Sequence, residues 1–258
     1  MMDRRTFSTT LAAGLAGSLL GTQTSRAAAP VRNVVLVHGL YADGSSWSEC
    51  IVRLQAAGMT VTAVQNPLTS FADDVAATRR ALAIQDGPTV LAAHSYGGMV
   101  ATEAGVASNV TALVYIAARA PDAGEDYAAL AKRFPSPPAS GGLVTFDGFS
   151  RLNMDAFLND FANGVDPVKA HELYAVQAAN AATLSPTART TVAAWRAKPS
   201  WYAVSKQDRT IDPDLERFMA ARMKATTIEI DAGHLSLVSH APKVTSLILL
   251  AAGQLRKG

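Results

Sequence analysis

Three side chains in this 258-residue chain are of the types that perform nucleophilic catalysis, and they come in the order Ser95, Asp208, His234. Ser95 stands in Ala93-His94-Ser95-Tyr96-Gly97-Gly98. This nearly matches the strand-to-helix turn G-x-S-x-G, with Ala for the first Gly. Such a turn is tight enough to strain the serine backbone, so bulky side chains two positions either side would collide. The strain would hold Oγ above a sheet edge, in front of a helix N-terminus whose unpaired N–H groups and dipole favour negative charge. A Ser-x-Gly turn alone says little, because the serine could equally cap the following helix.

Other residues change the weighing. His38-Gly39-Leu40 follows an apolar run, and Gly39 would let the backbone approach Ser95 closely. The Leu40 and Tyr96 N–H groups would then make a two-donor hole for an oxyanion. Asp208 lies in Ser205-Lys206-Gln207-Asp208-Arg209, and His234 in Asp231-Ala232-Gly233-His234. A serine attacking a carbonyl needs a histidine to carry its proton and a carboxylate to orient the imidazole. Asp122 is the rival carboxylate, and chain order favours Asp208. His94 and His38 read as supports of their loops, His171 as exposed and His240 as surface. Asp212 and Asp214 flank Pro213, and Asp231 reads as a loop residue. Scattered histidines and a single cysteine, Cys50, offer no metal cluster. Gly97-Gly98 lacks the spacing of a phosphate-cradling loop. No cofactor is expected.

The elements that must position these residues alternate in type. Val34-Val35-Leu36-Val37 is a short continuous apolar run, as in strands buried on both faces. Further strands are predicted at 60–64, 89–93, 112–116, 201–204 and 227–230. Between them, Trp47, Ile51 and Leu54 fall at helical spacing that Gly58 ends. Ser70 with Asp73 opens a helix carrying Val75, Leu82 and Ile84. Another helix follows from Met99, and Pro242 opens a last one carrying Val244, Leu247 and Ile248 inward. Alternation of this kind is the signature of a parallel α/β sheet. Each candidate lies just past a strand's carboxyl end, the edge where such sheets bind ligands. From about 121 to 198 the pattern breaks into helical segments between Pro/Gly-rich turns, with no strong strand. A helical insertion over one end of the sheet is therefore predicted. Tyr41, Trp47, Met99, Phe134, Phe146, Tyr174 and Trp195 are candidates to line an apolar pocket, with core packing an equally good reading for each.

Taken together, His38-Gly39, Ala93-His94-Ser95-Tyr96-Gly97-Gly98, Gln207-Asp208 and Gly233-His234 resemble the α/β-hydrolase fold family. The resemblance runs over nearly all of 30–258 and is similar to small bacterial esterase-like members with a helical cap. It implies an α/β-hydrolase fold, a mostly parallel central sheet flanked by helices, with the cap inserted at about 121–198. It implies Ser95 as nucleophile, His234 as general base and acid, and Asp208 as the orienting carboxylate, with the Leu40 and Tyr96 amides as oxyanion hole. The implied activity is hydrolysis of a carboxylic ester of a small or medium, largely apolar substrate through an acyl-enzyme, without a cofactor. Hydroxynitrile lyases of this fold carry a Thr in the oxyanion loop and a Lys after the histidine. Gly39 and Leu235 stand there instead. Haloalkane dehalogenases need an Asp where Ser95 stands. Cofactor-free perhydrolases of haloperoxidase-like type keep the same triad, and some triad-bearing relatives only bind ligands, so both alternatives stay open.

Apolar content of 49% over this length is ample for a buried core and excludes a disordered chain. The formal net charge of +2 misleads. Arg4, Arg5 and Arg26 against Asp3 lie in the first 29 residues, and the remainder carries 20 basic and 20 acidic residues. A neutral remainder has no electrostatic footprint for nucleic acid or an anionic membrane. Residues 1–29 combine Arg4-Arg5-x-Phe7, an apolar run at 11–21 and small residues at Ala27-Ala28-Ala29. This reads as a signal peptide of the twin-arginine type. The expected partners of the precursor are the twin-arginine export machinery and a signal peptidase, and the expected location is periplasmic or secreted. The apolar run is too short to span a bilayer, which takes ~20 residues.

Overall fold

The computed structural model describes residues 31–255, so the leader expected at 1–29 lies outside the described residues. The apolar runs become strands β1 (Asn33–Val37), β2 (Thr60–Ala63), β3 (Thr89–His94) and β4 (Val110–Ile116). Helices α1 (Ser48–Ala56), α2 (Phe71–Ala83) and α3 (Gly97–Ala104) connect or follow them. The chain then leaves the sheet. It runs through α4 (Tyr127–Ala131), β5 (Leu143–Phe146), β6 (Phe149–Leu152), α5 (Met154–Ala156), α6 (Pro167–Ala175), β7 (Asn180–Ala181) and α7 (Leu184–Thr187). It returns in β8 (Ser200–Ser205), α8 (Pro213–Arg222), β9 (Thr226–Ile230), α9 (Ser236–Ser239) and α10 (Ala241–Ala251).

The main sheet has the order β2-β1-β3-β4-β8-β9, and every neighbouring pair is parallel. β1 and β3 are buried throughout, because helices cover both faces. On one face Val35, Val37, Leu91, Ala93 and Tyr115 join Val75, Leu82, Met99, Val100 and Met219 of α2, α3 and α8. On the other, Val34, Leu36, Val90, Ala92 and Ile116 meet Cys50, Leu54, Val244, Leu247 and Ile248 of α1 and α10. Each large apolar side chain so buried contributes ~1.5–3 kcal/mol. A slip of one residue would exchange the two faces, so the core fixes the register. The punctuation signals act as expected: Ser70 Oγ accepts from the Asp73 amide at 3.1 Å, and Gly58 follows α1 at φ 79°. Ile84 differs, since α2 ends at Ala83 and Ile84 is 75% exposed.

The excursion between β4 and β8 holds short helices, as expected, but also a three-stranded antiparallel sheet, β5-β6-β7, that the sequence reading did not foresee. β5 pairs with β6 around Asp147-Gly148, both at positive φ (46° and 76°). Two positive-φ residues make the hairpin turn whose twist matches the flanking strands, and Asp-Gly is its characteristic sequence. That dipeptide was the available signal. It was obscured because β5 is exposed at all four positions, so it shows neither alternation nor a buried run.

Candidate active site

Ser95 occupies the turn from β3 into α3 with φ 55°, an uncommon conformation for a residue with a Cβ. Its carbonyl accepts from the Gly98 and Arg119 amides, each at 3.0 Å, and these bonds hold the strained turn. The glycines after it are required by close approach. A Cβ on Gly97 would stand 2.6 Å from the His38 carbonyl oxygen, and one on Gly39 would stand 2.6 Å from Ser95 Cβ. The loop leaving β1 is thus pressed directly against Ser95. His38 locks that loop: its Nδ1 donates to the Gly39 carbonyl at 2.9 Å and its Nε2 accepts from the Asn66 amide at 2.9 Å. Burial keeps the His38 pKa low and the ring neutral. The Leu40 and Tyr96 amides donate to no other described residue. Tyr96 is anchored away from the turn, its hydroxyl donating to Asp74 Oδ2 at 2.8 Å.

Asp208 and His234 meet across the ends of β8 and β9. Asp208 Oδ2 accepts from His234 Nδ1 at 2.5 Å, and both side chains are fully buried. The other oxygen, Oδ1, accepts from the Thr210 and Ile211 amides at 2.6 and 2.8 Å. With Nδ1 donating, the imidazole keeps a lone pair on Nε2, and that buried atom has no partner among the described residues. A Ser95–His234 hydrogen bond is therefore not formed in the structure. Ser95 and His234 are instead tied through His94, whose Nε2 donates to the His234 carbonyl at 3.1 Å, with ring centroids 4.6 Å apart. The excursion completes the clamp. Phe161 lies 5.2 Å from the His234 ring, and Asn163 donates to the Gln207 carbonyl at 2.9 Å.

The rival carboxylate Asp122 is elsewhere, paired with Arg196 through both oxygens. His171 is exposed, Asp212 caps α8, and Asp231 pairs with Lys206 at 2.6 Å. Of the aromatic and Met candidates for a pocket wall, only Tyr41 lines the main cavity. Trp47 and Met99 are core residues with no exposure, Phe134 packs on Phe218, and Trp195 donates to the Pro121 carbonyl. The cavity, about 450 Å³, lies between the excursion and the sheet edge. Its walls include Tyr41, next to Leu40, and Thr210 and Ile211, whose amides hold Asp208.

Two residues near the site were not foreseen. Arg119, bonded through its amide to Ser95, also lines the cavity. Glu216 on α8 has no exposure, accepts from the Ser205 amide at 3.0 Å through Oε2, and its buried Oε1 has no partner among the described residues. Burial, and then the Asp208 charge beside it, hold the Glu216 pKa well above the usual carboxylate range. Both causes favour the neutral carboxyl of Glu216.

With this geometry in view, the comparisons with known proteins are direct. Residues 34–246 match the model of the alpha/beta hydrolase family, and the chain belongs to that family. Among solved structures, polyneuridine aldehyde esterase superposes with a TM-score of 0.73 at 18% identity, covering 85% of this chain and 98% of its own. A pyrethroid hydrolase from Sphingobium faniae gives 0.69 at 16% identity, covering 86% and 98%. A methylesterase from Arabidopsis gives 0.71 at 15% identity, covering 87% and 100%. At these identities the likeness is one of fold. No curated protein matches the chain in sequence.

Proposed function

We propose that the protein is a carboxylic ester hydrolase acting through an acyl-enzyme on Ser95. The observation that carries this reading is the fully buried Asp208–His234 hydrogen bond, which leaves Nε2 without a partner at the sheet edge where Ser95 is held at positive φ. In the first step His234 Nε2 takes the Ser95 proton as Oγ attacks the ester carbonyl. The unpaired Leu40 and Tyr96 amides receive the oxyanion, where one such donor is worth ~10²–10³ in rate. The tetrahedral adduct collapses, and His234 returns the proton to the departing alcohol. Water, deprotonated by His234, then attacks the acyl-Ser95 ester, and the acid is released as His234 returns that proton to Ser95 Oγ. His234 needs no cofactor for either transfer. A cavity of about 450 Å³ suits a small or medium ester. The esterase and hydrolase names of the fold neighbours agree with this reading.

The test is covalent. A fluorophosphonate should label the wild-type protein at Ser95, and short-chain 4-nitrophenyl esters should be turned over. Ser95→Ala should lose both while its circular dichroism and melting stay those of the wild type. Near-wild-type turnover by a folded Ser95→Ala protein would end the serine mechanism.

A further inference from the structure

One wall of the cavity carries a positive charge without a counter-ion. The Arg119 side chain leaves the backbone beside Ser95 and reaches the cavity, where Nη1 donates to Ser185 Oγ at 2.9 Å. The guanidinium lies over the Tyr127 ring, 4.9 Å from its centroid. Its Nε is buried and has no acceptor. Among the described residues no carboxylate pairs with it, whereas Arg189, Arg196 and Arg222 all have acidic partners.

The nearby acids are each occupied. Asp212 shares the cavity wall, but its Oδ1 accepts from the Asp214 and Leu215 amides. Asp208 is held by His234 and two amides, and burial favours the neutral form of Glu216. Tyr41, Tyr96 and Tyr127 all feel the Arg119 charge, but burial raises their pKa values and keeps them neutral. A guanidinium whose own contacts are the Ser185 hydroxyl and the Tyr127 ring, with Asp212 on the same wall but not paired to it, keeps its attraction for an anion, and its planar fork matches a carboxylate. Where the protein lowers the local dielectric, that attraction is stronger than in bulk solvent.

We propose that Arg119 is a specificity-determining residue that binds a substrate carboxylate, so that the ester cleaved at Ser95 is one carrying a carboxylate a few bonds from its scissile carbonyl. The proposal rests on the ester-hydrolase reading and narrows its substrate class from largely apolar esters to anionic ones. The competing role for Arg119 is a strap that ties the excursion down through Ser185 and Tyr127. Such a strap would serve charged and neutral esters alike.

The experiment compares matched esters by pH-stat. Methyl hydrogen glutarate against methyl pentanoate places the charge on the acyl side. 4-Acetoxybenzoate against 4-methylphenyl acetate places it on the alcohol side. The wild type should favour the charged ester of one pair by about tenfold or more in kcat/KM, the worth of a charge-assisted hydrogen bond. Arg119→Gln should lower that charged-to-neutral ratio about tenfold while the neutral ester stays within about twofold, and Arg119→Lys should restore part of it. No charge preference in the wild type, or equal losses on both esters in Arg119→Gln, would overturn the proposal. Calorimetry of the Ser95→Ala protein with methyl hydrogen glutarate separates the two readings. Binding that Arg119→Gln abolishes, with no ester turned over by the wild type, upholds the anion site and overturns the hydrolase. Turnover of neutral esters without charge preference does the reverse.

Discussion

The carboxyl edge of the sheet and the excursion that covers it are held together by different means. At the edge, Ser95, Asp208 and His234 each sit one short step beyond a strand of the parallel sheet, β3 and β8 packed on both faces and β9 at its margin. Their loops are cross-tied by backbone bonds, such as Gln207 N–H to the Ala232 carbonyl at 3.0 Å. In the excursion the helices are short, and the hairpin β5–β6 exposes Val144 and Phe146 to 43% and 46%. Chemistry that tolerates little displacement stands on the rigid part, and the part that shapes the cavity is the one least constrained by packing.

The comparison breaks first if the acid is misplaced. Asp208→Asn should cut kcat about 10⁴-fold, because an amide can stabilise the wrong imidazole tautomer. Asp122→Asn, at the start of the excursion, should change kcat by less than about threefold, since Asp122 pairs only with the exposed Arg196. Steady-state kinetics on one ester decides it, and a deader Asp122 variant would move the acid off the sheet edge.

A smaller effect sharpens the view of that edge as tightly buried. Folding keeps Glu216 protonated above its ordinary value of 4.5, whereas the unfolded chain ionises it. The unfolded state therefore binds fewer protons, and the wild type loses stability as pH rises from that value toward the raised folded one. Glu216→Gln can still accept from the Ser205 amide, but it lacks the pH-dependent loss. Its Tm relative to the wild type should rise between about pH 5 and pH 8. A constant offset across that range would show that Glu216 is ionised in the folded protein.

The smallest effect belongs to the hairpin. Val144→Ser with Phe146→Ser removes apolar surface that is half exposed already, so urea unfolding should shift by less than about 1 kcal/mol. Activity should stay within about twofold. A large loss of either would make the hairpin part of the structural framework.

The same contrast explains what could be read beforehand. The strands were legible because burial on both faces forces continuous apolar runs such as Val34-Val35-Leu36-Val37. The Ser95 turn was legible because sterics restrict which neighbours it accepts. Asp208 could be placed by chain order, although only the 2.5 Å contact with His234 separates it from Asp122. Arg119 was not legible, since an arginine after a strand is ordinarily a solvated charge, and its meaning depends on a cavity closed by residues far along the chain. Glu216 looked like one more acid on a charged helix; only the packing of α8 against β8 buries it. The aromatics stayed ambiguous because apolarity does not tell a cavity wall from a core, and the structure places all but Tyr41 away from the cavity. Trp47 lies beneath the opposite face of the sheet.

The strand order has one more consequence. β4 and β8 are hydrogen-bonded neighbours, so the chain leaves the sheet and re-enters it at adjacent places, as the bond from the Ala117 amide to the Ala203 carbonyl at 3.0 Å shows. The whole excursion is then a closed loop. The entropy of closing such a loop grows only with the logarithm of its length, about 0.6 kcal/mol per doubling. Insertions and deletions in its exposed turns, such as Asp147-Gly148, therefore cost the sheet little, which leaves the outer part of the cavity roof free to be resized while Phe161 and Asn163 keep their hold on His234 and Gln207.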